Sequence, residues 1–184
     1  MPGRRGYTIV EATVAIALIS FSSSAAIIQL KNSLRTVDAD VAAATVASQL
    51  KYAREIAVHS RCRVQVEFIN PGTIRITKFE ANETPVVITT TAIPSTISFA
   101  LPAGIVDTPE GYGNAMPVNF GRGSGGNFQP DGIFTNSDGI VTSGTVFTLG
   151  PGGNDTARAV TLAGSNGRVR QYQIRNNTWI EKTH

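Results

Sequence analysis

The chain has 184 residues, enough for one modest domain besides any N-terminal segment with a separate role. Charged residues make up 16% and aromatic residues 7%, and 18 Gly and 9 Pro accompany many Thr, Val and Ile, which favours strands and turns. A single cysteine, Cys62, excludes a disulfide within the chain. The net charge of +3 is unevenly distributed: residues 79–157 have seven acidic residues and one basic, whereas residues 158–184 have five basic and one acidic. Any basic surface therefore belongs to the C-terminal stretch.

The chain begins with a short basic stretch followed by a long apolar one. Arg4 and Arg5 precede 19 consecutive uncharged residues, Ala12–Leu30. As a helix, residues 7–30 would extend about 36 Å, enough to cross the hydrocarbon core of a bilayer. Glu11 stands at the near edge of this segment, where a carboxylate costs about 2.5–3.5 kcal/mol on insertion scales. We therefore interpret Glu11 as functional.

Three interpretations of this segment are open. A single-pass anchor explains the apolar residues but leaves Glu11 as a cost. A secretory signal cleaved among residues 22–26 would place a carboxylate in its apolar region and cut a helical pattern that continues beyond it. Cleavage after Gly6 would make Tyr7 a free amino terminus one helical turn from Glu11. The amine and the carboxylate could then neutralise each other, within one chain or between neighbours.

The next feature is a long helix. Neither Gly nor Pro occurs between Tyr7 and Asn70, which predicts one helix from about Tyr7 to His59. Its second half is amphipathic, with an apolar stripe at spacings of three and four residues: Leu30, Leu34, Val37, Val41 and Ala44. Such a stripe needs a surface to pack against, and we expect this half of the helix to cover one face of a sheet.

After His59 the apolar pattern changes to a period of two, which predicts strands. Residues 63–69 and 73–79 alternate around the turn Asn70-Pro71-Gly72, which indicates a hairpin. Further strands are predicted at 86–91, 96–100, 145–149, 159–163 and 168–174, and residues 111–132 are predicted to be mostly loop. The predicted fold class is α+β: a long N-terminal helix, membrane-spanning in its first half, packed on a mainly antiparallel β-sheet head.

The N-terminal residues resemble the class III signal of type IV pilins and pseudopilins. The resemblance rests on Gly6-Tyr7-Thr-Ile-Val-Glu11, the basic leader and the uninterrupted apolar helix. It implies that prepilin peptidase cuts after Gly6 and methylates Tyr7, and that Glu11 guides filament assembly. The family usually begins its mature chain with Phe, whereas Tyr7 keeps only the aromatic ring. The implied divisions are a leader at 1–6, a helix at 7–60 with 7–30 transmembrane, and a globular β head at 61–184.

The resemblance also implies partners and a location. The partners are other pilins or pseudopilins, prepilin peptidase, an inner-membrane assembly platform and the membrane. The subunit would be single-pass in the inner membrane, with a cytoplasmic N-terminus and a periplasmic head, before it enters a periplasmic or extracellular filament. The resemblance implies no cofactor.

A second resemblance, in the C-terminal third, is to the GspH/FimT group of minor pilins and minor pseudopilins. It rests on Phe128-Gln-Pro-Asp-Gly132, the strand Val146–Leu149, and Gly167-Arg168-Val-Arg170. Subunits of this group are thought to lie at or near the filament tip and help to start assembly. Whether the filament belongs to a type IV pilus or a type II secretion system is left open, and residues 80–127 carry no such likeness.

The closing strand is a candidate DNA-binding surface. On a strand, Arg168, Arg170 and Tyr172 would share one face, suited to phosphates and a stacked base. Arg175 and Lys182 extend the basic character. The Gly-Arg-x-Arg pattern is similar to the one through which FimT-type pilins bind DNA in natural transformation. The alternative is a solvated strand face whose arginines form ion pairs.

No enzyme and no metal site are predicted. Gly121-Arg-Gly-Ser-Gly-Gly126 matches G-x-G-x-x-G, but Asn127-Phe-Gln-Pro follows it instead of a helix. His59 and Cys62 lie at helical spacing, yet one Cys and two His leave a metal site short of ligands. Three hypotheses stand: a filament subunit, a DNA-binding minor pilin, and a membrane-anchored or secreted β-domain outside any filament.

Overall fold

The computed structural model describes residues 8–80, 82–104 and 107–182, without the side chains of residues 24, 25, 28 and 32. The chain divides into two compact units between Leu34 and Arg35. Helix α1, Ile9–Ser60, begins in the first unit and continues into the second, which also contains the strands.

Helix α1 confirms the prediction of one uninterrupted helix and has local signals at both ends. At its start, Oγ1 of Thr8 accepts a hydrogen bond from the backbone N–H of Glu11 at 3.3 Å, as an N-cap does. At its end, Arg61 has a left-handed backbone, φ 52°, and the N–H of Cys62 donates to the carbonyl of Ala57 at 3.3 Å. That arrangement is a Schellman ending, which stops the helix before the first strand.

The described part of the second unit contains two antiparallel sheets, where the sequence predicted one. The strands are β1 Arg63–Ile69, β2 Thr73–Phe79, β3 Pro85–Ala92, β4 Ser98–Phe99, β5 Val118–Asn119, β6 Gly125–Phe128, β7 Phe134–Thr135, β8 Gly144–Leu149, β9 Arg158–Ala163, β10 Arg168–Arg175 and β11 Thr178–Glu181. The first sheet has the order β3-β2-β1-β6-β7 and the second β11-β10-β9-β8-β4, with β5 also paired to β8. The predicted hairpin is present, with Arg63 opposite Phe79 and Ile69 opposite Thr73.

The face of α1 that packs on the sheets differs from the predicted one. The predicted stripe is exposed, with Val37 55% and Val41 47% accessible. The buried helix residues are instead mostly alanines: Ala39, Ala42, Ala43, Val46, Ala47, Leu50, Ala53 and Ala57. Val41 lies two residues after Ala39, about 200° around the helix, so the two sets face opposite ways. Small side chains allow the helix backbone to approach the sheets closely, and the larger apolar residues of the predicted stripe lie outside.

Among the described residues, the core contains two clusters, on the two sides of the second sheet. The larger one joins the alanine face of α1 to inward side chains of both sheets, including stacked Phe68 and Phe120 at 5.5 Å between ring centroids. The smaller one contains Phe147, Tyr172 and Trp179. Because both faces of β10 contact a cluster, its side chains are less available to a ligand than those of a one-sided strand.

Candidate functional site

The N-terminal candidates are only partly described. Gly6 and Tyr7 lie outside the described residues. Glu11 is in the first turn of α1, where a carboxylate interacts favourably with the helix dipole. Thr8-Ile-Val-Glu11 also fits the capping-box pattern, in which the first residue caps the helix and the fourth can bond back to it. The start of the helix is therefore a favourable position for a carboxylate, apart from the predicted role of Glu11 in assembly.

Large apolar side chains are exposed along the first part of α1. Examples are Ile9, 85% accessible, and Phe21, 79% accessible. Within the described residues, no helix combines the length and apolarity needed to cross a bilayer, so the predicted transmembrane segment 7–30 is not supported there.

Two of the predicted DNA-binding residues are held by internal contacts on β10. The guanidinium of Arg170 lies 3.2 Å from Oε1 of Glu110 and 3.4 Å from Oε1 of Glu181, and it donates to the hydroxyl of Tyr172 at 3.4 Å. Tyr172 is buried against Trp179 in the smaller cluster. Burial raises the pKa of Tyr172, and the hydrogen bond from Arg170 opposes that shift only in part. The pattern on β10 thus includes ion pairs, as the alternative interpretation expected, but Tyr172 on that face is buried and the face is not solvated along its length.

Lys182 is also engaged, in a network that joins α1 to the second sheet. Its Nζ lies 3.0 Å from Oδ2 of Asp40, while Nε of the buried Arg158 donates to Oδ1 at 2.7 Å. Arg158 also donates to the carbonyls of Asp155 and Ala157, both at 2.9 Å. Burial alone would raise the pKa of Asp40, but the hydrogen bonds and charges of Arg158 and Lys182 outweigh it, and the pKa is lowered. Lys182 is therefore a structural contact in the folded chain.

Arg168 and Arg175 remain exposed, at opposite ends of β10. Seven residue steps along a strand separate them by about 23 Å, so they do not form one cluster. Arg168 follows Gly167, which lines a groove of about 590 Å³ together with helix residues that the sequence did not predict to be part of a binding site. The groove-lining residues of α1 are Lys51, Arg54, Glu55, Val58 and His59. These residues are spaced three and four apart and therefore share one face of α1, which is the sequence signal that could have identified them together.

The side chain of Arg54 contacts two glycines of the sequence motifs and gives a structural reason for small residues there. Its Nε donates to the carbonyl of Gly132 at 3.3 Å. Gly167 has φ +65°, and a Cβ there would lie 2.5 Å from Cδ of Arg54. The turn after β6 and the turn before β10 therefore meet over one helix side chain, which joins both sheets to α1.

The remaining sequence signals have structural explanations. Gly125 and Gly126 belong to β6, and no helix follows them, so the glycine-rich stretch does not form a nucleotide-binding turn. Across the described residues, no group of three or more His, Cys, Asp or Glu side chains could hold a metal ion.

Comparisons with known proteins found distant structural matches and no match in sequence. No protein-family model matches the chain, and no characterised protein matches it in sequence. Among solved structures, the type IV minor pilin FimU of Pseudomonas aeruginosa is 15% identical with a TM-score of 0.46, over 74% of this chain and 87% of that one. The minor pseudopilin EpsH of the type II secretion system of Vibrio cholerae is 18% identical with a TM-score of 0.45, over 73% and 95%.

Proposed function

We propose that this chain is a minor subunit of a filament of the type IV pilus or type II secretion class, assembled through α1. The observation that carries the proposal is the exposed apolar surface of this helix. Val37 and Val41 lie opposite the alanine face that packs on the sheets, so the head leaves them uncovered. Burying a Val or Leu side chain fully contributes about 1.5–3 kcal/mol, so neighbouring helices that cover such side chains would stabilise an assembly.

The proposal includes processing at the N-terminus. Prepilin peptidase would cut between Gly6 and Tyr7 and methylate Tyr7, and the new terminal amine would lie near the carboxylate of Glu11. In an apolar helix bundle such a pair attracts strongly and would fix the axial register of neighbours. Before assembly, the apolar segment would hold the subunit in the inner membrane beside the assembly platform. The subunit would contribute no catalysis, and it could prime assembly at the tip.

Two measurements test processing and assembly separately. Mass spectrometry of the protein isolated from cells should give a mature chain that starts at methylated Tyr7. An intact Met1, or a start within residues 22–26, contradicts the proposal in favour of a plain anchor or a secreted β-domain. Membrane fractions washed with alkaline carbonate should retain the unassembled chain.

Two variants separate the effect of the Glu11 charge from the effect of capping the helix. Glu11→Gln keeps a side chain able to hydrogen-bond at the helix start but removes the charge, and it should abolish incorporation into sheared filaments. Thr8→Ala removes the N-cap, a change worth about 1 kcal/mol, and should leave incorporation largely intact. Equal incorporation of Glu11→Gln and wild type would refute the charge-pairing role.

A second candidate function is DNA binding, favoured by the groove beside Arg168. We infer that Arg168 would act with Lys51 and Arg54 of α1, because Arg170 and Lys182 are already ion-paired. Fluorescence anisotropy of residues 35–184 with duplex DNA should show weaker binding and a smaller salt dependence for Arg168→Gln and Lys51→Gln. Arg175→Gln, at the other end of β10, is the control. Absence of binding at 50 mM salt refutes this function.

A further inference from the structure

Three segments of the chain match the acceptor pattern for N-linked glycosylation, Asn-x-Ser/Thr with x other than Pro. They are Asn82-Glu83-Thr84, Asn154-Asp155-Thr156 and Asn176-Asn177-Thr178. A chain rich in Asn and Thr produces this pattern by chance, so the sequence does not separate a used site from an unused one. The structure does, because transfer needs an Asn amide nitrogen and a Thr hydroxyl that a transferase can reach in a segment free to bend.

The second segment is closed by internal hydrogen bonds. Oγ1 of Thr156 donates to the carbonyl of Gly153 at 2.9 Å and accepts from the N–H of Gly150 at 3.1 Å, and Thr156 is only 1% accessible. Nδ2 of Asn154 donates to the carbonyl of Ala103 at 3.4 Å. Both groups that transfer needs are therefore occupied in the folded chain.

The third segment is exposed but is fixed in a tight hairpin turn. Asn176 and Asn177 have φ of 51° and 57°, as in a type I′ turn, and the flanking Arg175 and Thr178 are opposite each other on β10 and β11. Oγ1 of Thr178 also donates to the carbonyl of Asn176 at 3.4 Å. Because the Thr belongs to a paired strand, this segment would have to open the β10–β11 ladder to bend around a transferase.

The first segment lies in the exposed connection between β2 and β3, outside the ladder. Asn82, Glu83 and Thr84 are all exposed, and β3 begins only at Pro85. Oδ1 of Asn82 accepts a hydrogen bond from the backbone N–H of Thr84 at 3.2 Å, which forms an Asx turn. This bond uses the amide oxygen and leaves the amide nitrogen, the atom that would carry a sugar, out of it. Of the three segments, this one alone combines exposure with a turn that lies outside paired strands.

The charges beside Asn82 indicate the class of transferase. Glu80 precedes Asn82 by two positions, and its side chain is 52% accessible. Bacterial oligosaccharyltransferases extend the acceptor pattern with an acidic residue at this position, whereas Ile174 occupies the equivalent position before Asn176. The pair between Glu80 and Nζ of Lys78, at 3.7 Å, is exposed and weak, so the carboxylate remains available to a cationic peptide groove.

We propose that Asn82 is an N-glycosylation site of the folded head. In the reaction, Nδ2 of Asn82 forms a bond to C1 of the first sugar of a lipid-diphosphate-linked oligosaccharide. The bond between C1 and the diphosphate oxygen breaks, the lipid diphosphate leaves, and Nδ2 loses one proton to a base of the transferase. Because this transfer takes place outside the cytoplasm, the inference rests on the export of the head that the proposed function includes.

Mass spectrometry of the protein isolated from the cells that naturally produce it tests this inference. The peptide with Asn82 should carry a glycan, and the peptides with Asn154 and Asn176 should be unmodified. The N-terminus is read from the same digest. Unmodified Asn82 on a chain that starts at methylated Tyr7 overturns this inference alone, and unmodified Asn82 with an intact Met1 overturns both. A glycan at Asn82 with an intact Met1 supports this inference and overturns the proposed processing.

Matched variants locate the acceptor in the full chain, co-expressed with a bacterial oligosaccharyltransferase and a lipid-linked oligosaccharide of known mass. Asn82→Gln and Thr84→Ala should abolish the added mass, and Glu80→Gln should lose most of it. Thr84→Ser, which keeps the hydroxyl, and Asn176→Gln, at the other exposed segment, should retain it. Glycosylation that survives Asn82→Gln, or that is lost in Asn176→Gln, overturns the assignment to Asn82.

Discussion

Replacing Asp40 by Asn is a direct test of the network that joins α1 to the second sheet. Asp40 accepts from Arg158 at 2.7 Å and lies 3.0 Å from Nζ of Lys182, and the side chain of Arg158 is only 4% accessible. The variant keeps the shape and one acceptor but leaves the buried guanidinium without its counter-charge. Removing one partner of a buried ion pair costs about 3–5 kcal/mol.

Two features of the network reduce the expected cost. The side chain of Asp40 is 35% accessible, so solvent screens part of the interaction. Arg158 also keeps its bonds to the carbonyls of Asp155 and Ala157. We therefore expect the free energy of unfolding to fall by about 2–3 kcal/mol. Urea unfolding of residues 35–184 should show this as a midpoint lowered by about 1–2 M with the slope unchanged.

The same variant predicts a pH dependence with a defined sign. The pKa of Asp40 is lowered in the folded chain, so its contribution to stability is complete above the pKa of the unfolded chain, about 4. The contribution is lost as the pH falls through the lowered folded value. The difference between wild type and Asp40→Asn should therefore be largest at pH 7 and should shrink below pH 4.

A control variant tests whether the effect depends on burial. Asp138 pairs with Arg122 at 3.5 Å in an exposed position, and Asp138→Asn should change stability by less than about 1 kcal/mol. An equal loss for Asp40→Asn at pH 7 and pH 2.5, or a loss no larger than that of Asp138→Asn, would refute the assignment to a buried charge pair.

Two further predictions concern packing around α1. In thermal unfolding, Gly167→Ala should destabilise residues 35–184 more than Gly153→Ala. Both glycines have positive φ, so both variants strain the backbone. Only at Gly167 would the added Cβ meet Arg54, because nothing lies within 4 Å of a Cβ at Gly153. Equal losses would mean that backbone strain alone is responsible. Val41→Glu should leave thermal stability within about 0.5 kcal/mol of wild type yet abolish filament incorporation, because Val41 is exposed. Ala43→Glu should unfold the head by burying a charge, and wild-type incorporation of Val41→Glu would contradict the role of this face.

The strands that the sequence predicted well are those in which apolar and polar residues alternate without interruption. Strands β1 and β2 have this pattern over seven residues each, and their observed burial alternates accordingly. The sequence predicts a loop where β6 lies because Gly125-Gly126 carries no period-two signal, although the close approach to β1 and β7 requires small residues there. Strand β11 has only four residues and depends on pairing with β10, so local sequence predicts it poorly.

Sequence alone also predicts the candidate site only in part. The sequence identified Arg168, Arg170 and Tyr172 as one face of a strand, but it could not show that Glu110, 60 positions away, ion-pairs with Arg170. It also could not show that Arg54 joins the turns at Gly132 and Gly167. Contacts between residues distant in sequence decide which cations of a basic stretch remain available. The groove beside Arg168 depends on such contacts.

The two faces of α1 account for both the fold and the proposed assembly. Larger apolar residues such as Val37 and Val41, which the sequence alone would place in the core, are outside, and the inner face is mostly alanine. Alanine buries less area per residue, but it favours the helix and lets the backbone lie close to the sheets. An inner face with Leu or Val at most of these positions, and not only at Val46 and Leu50, would hold the helix farther from the sheets. Separating small from large apolar residues thus allows one helix to pack in the head and to offer a second apolar surface to other subunits.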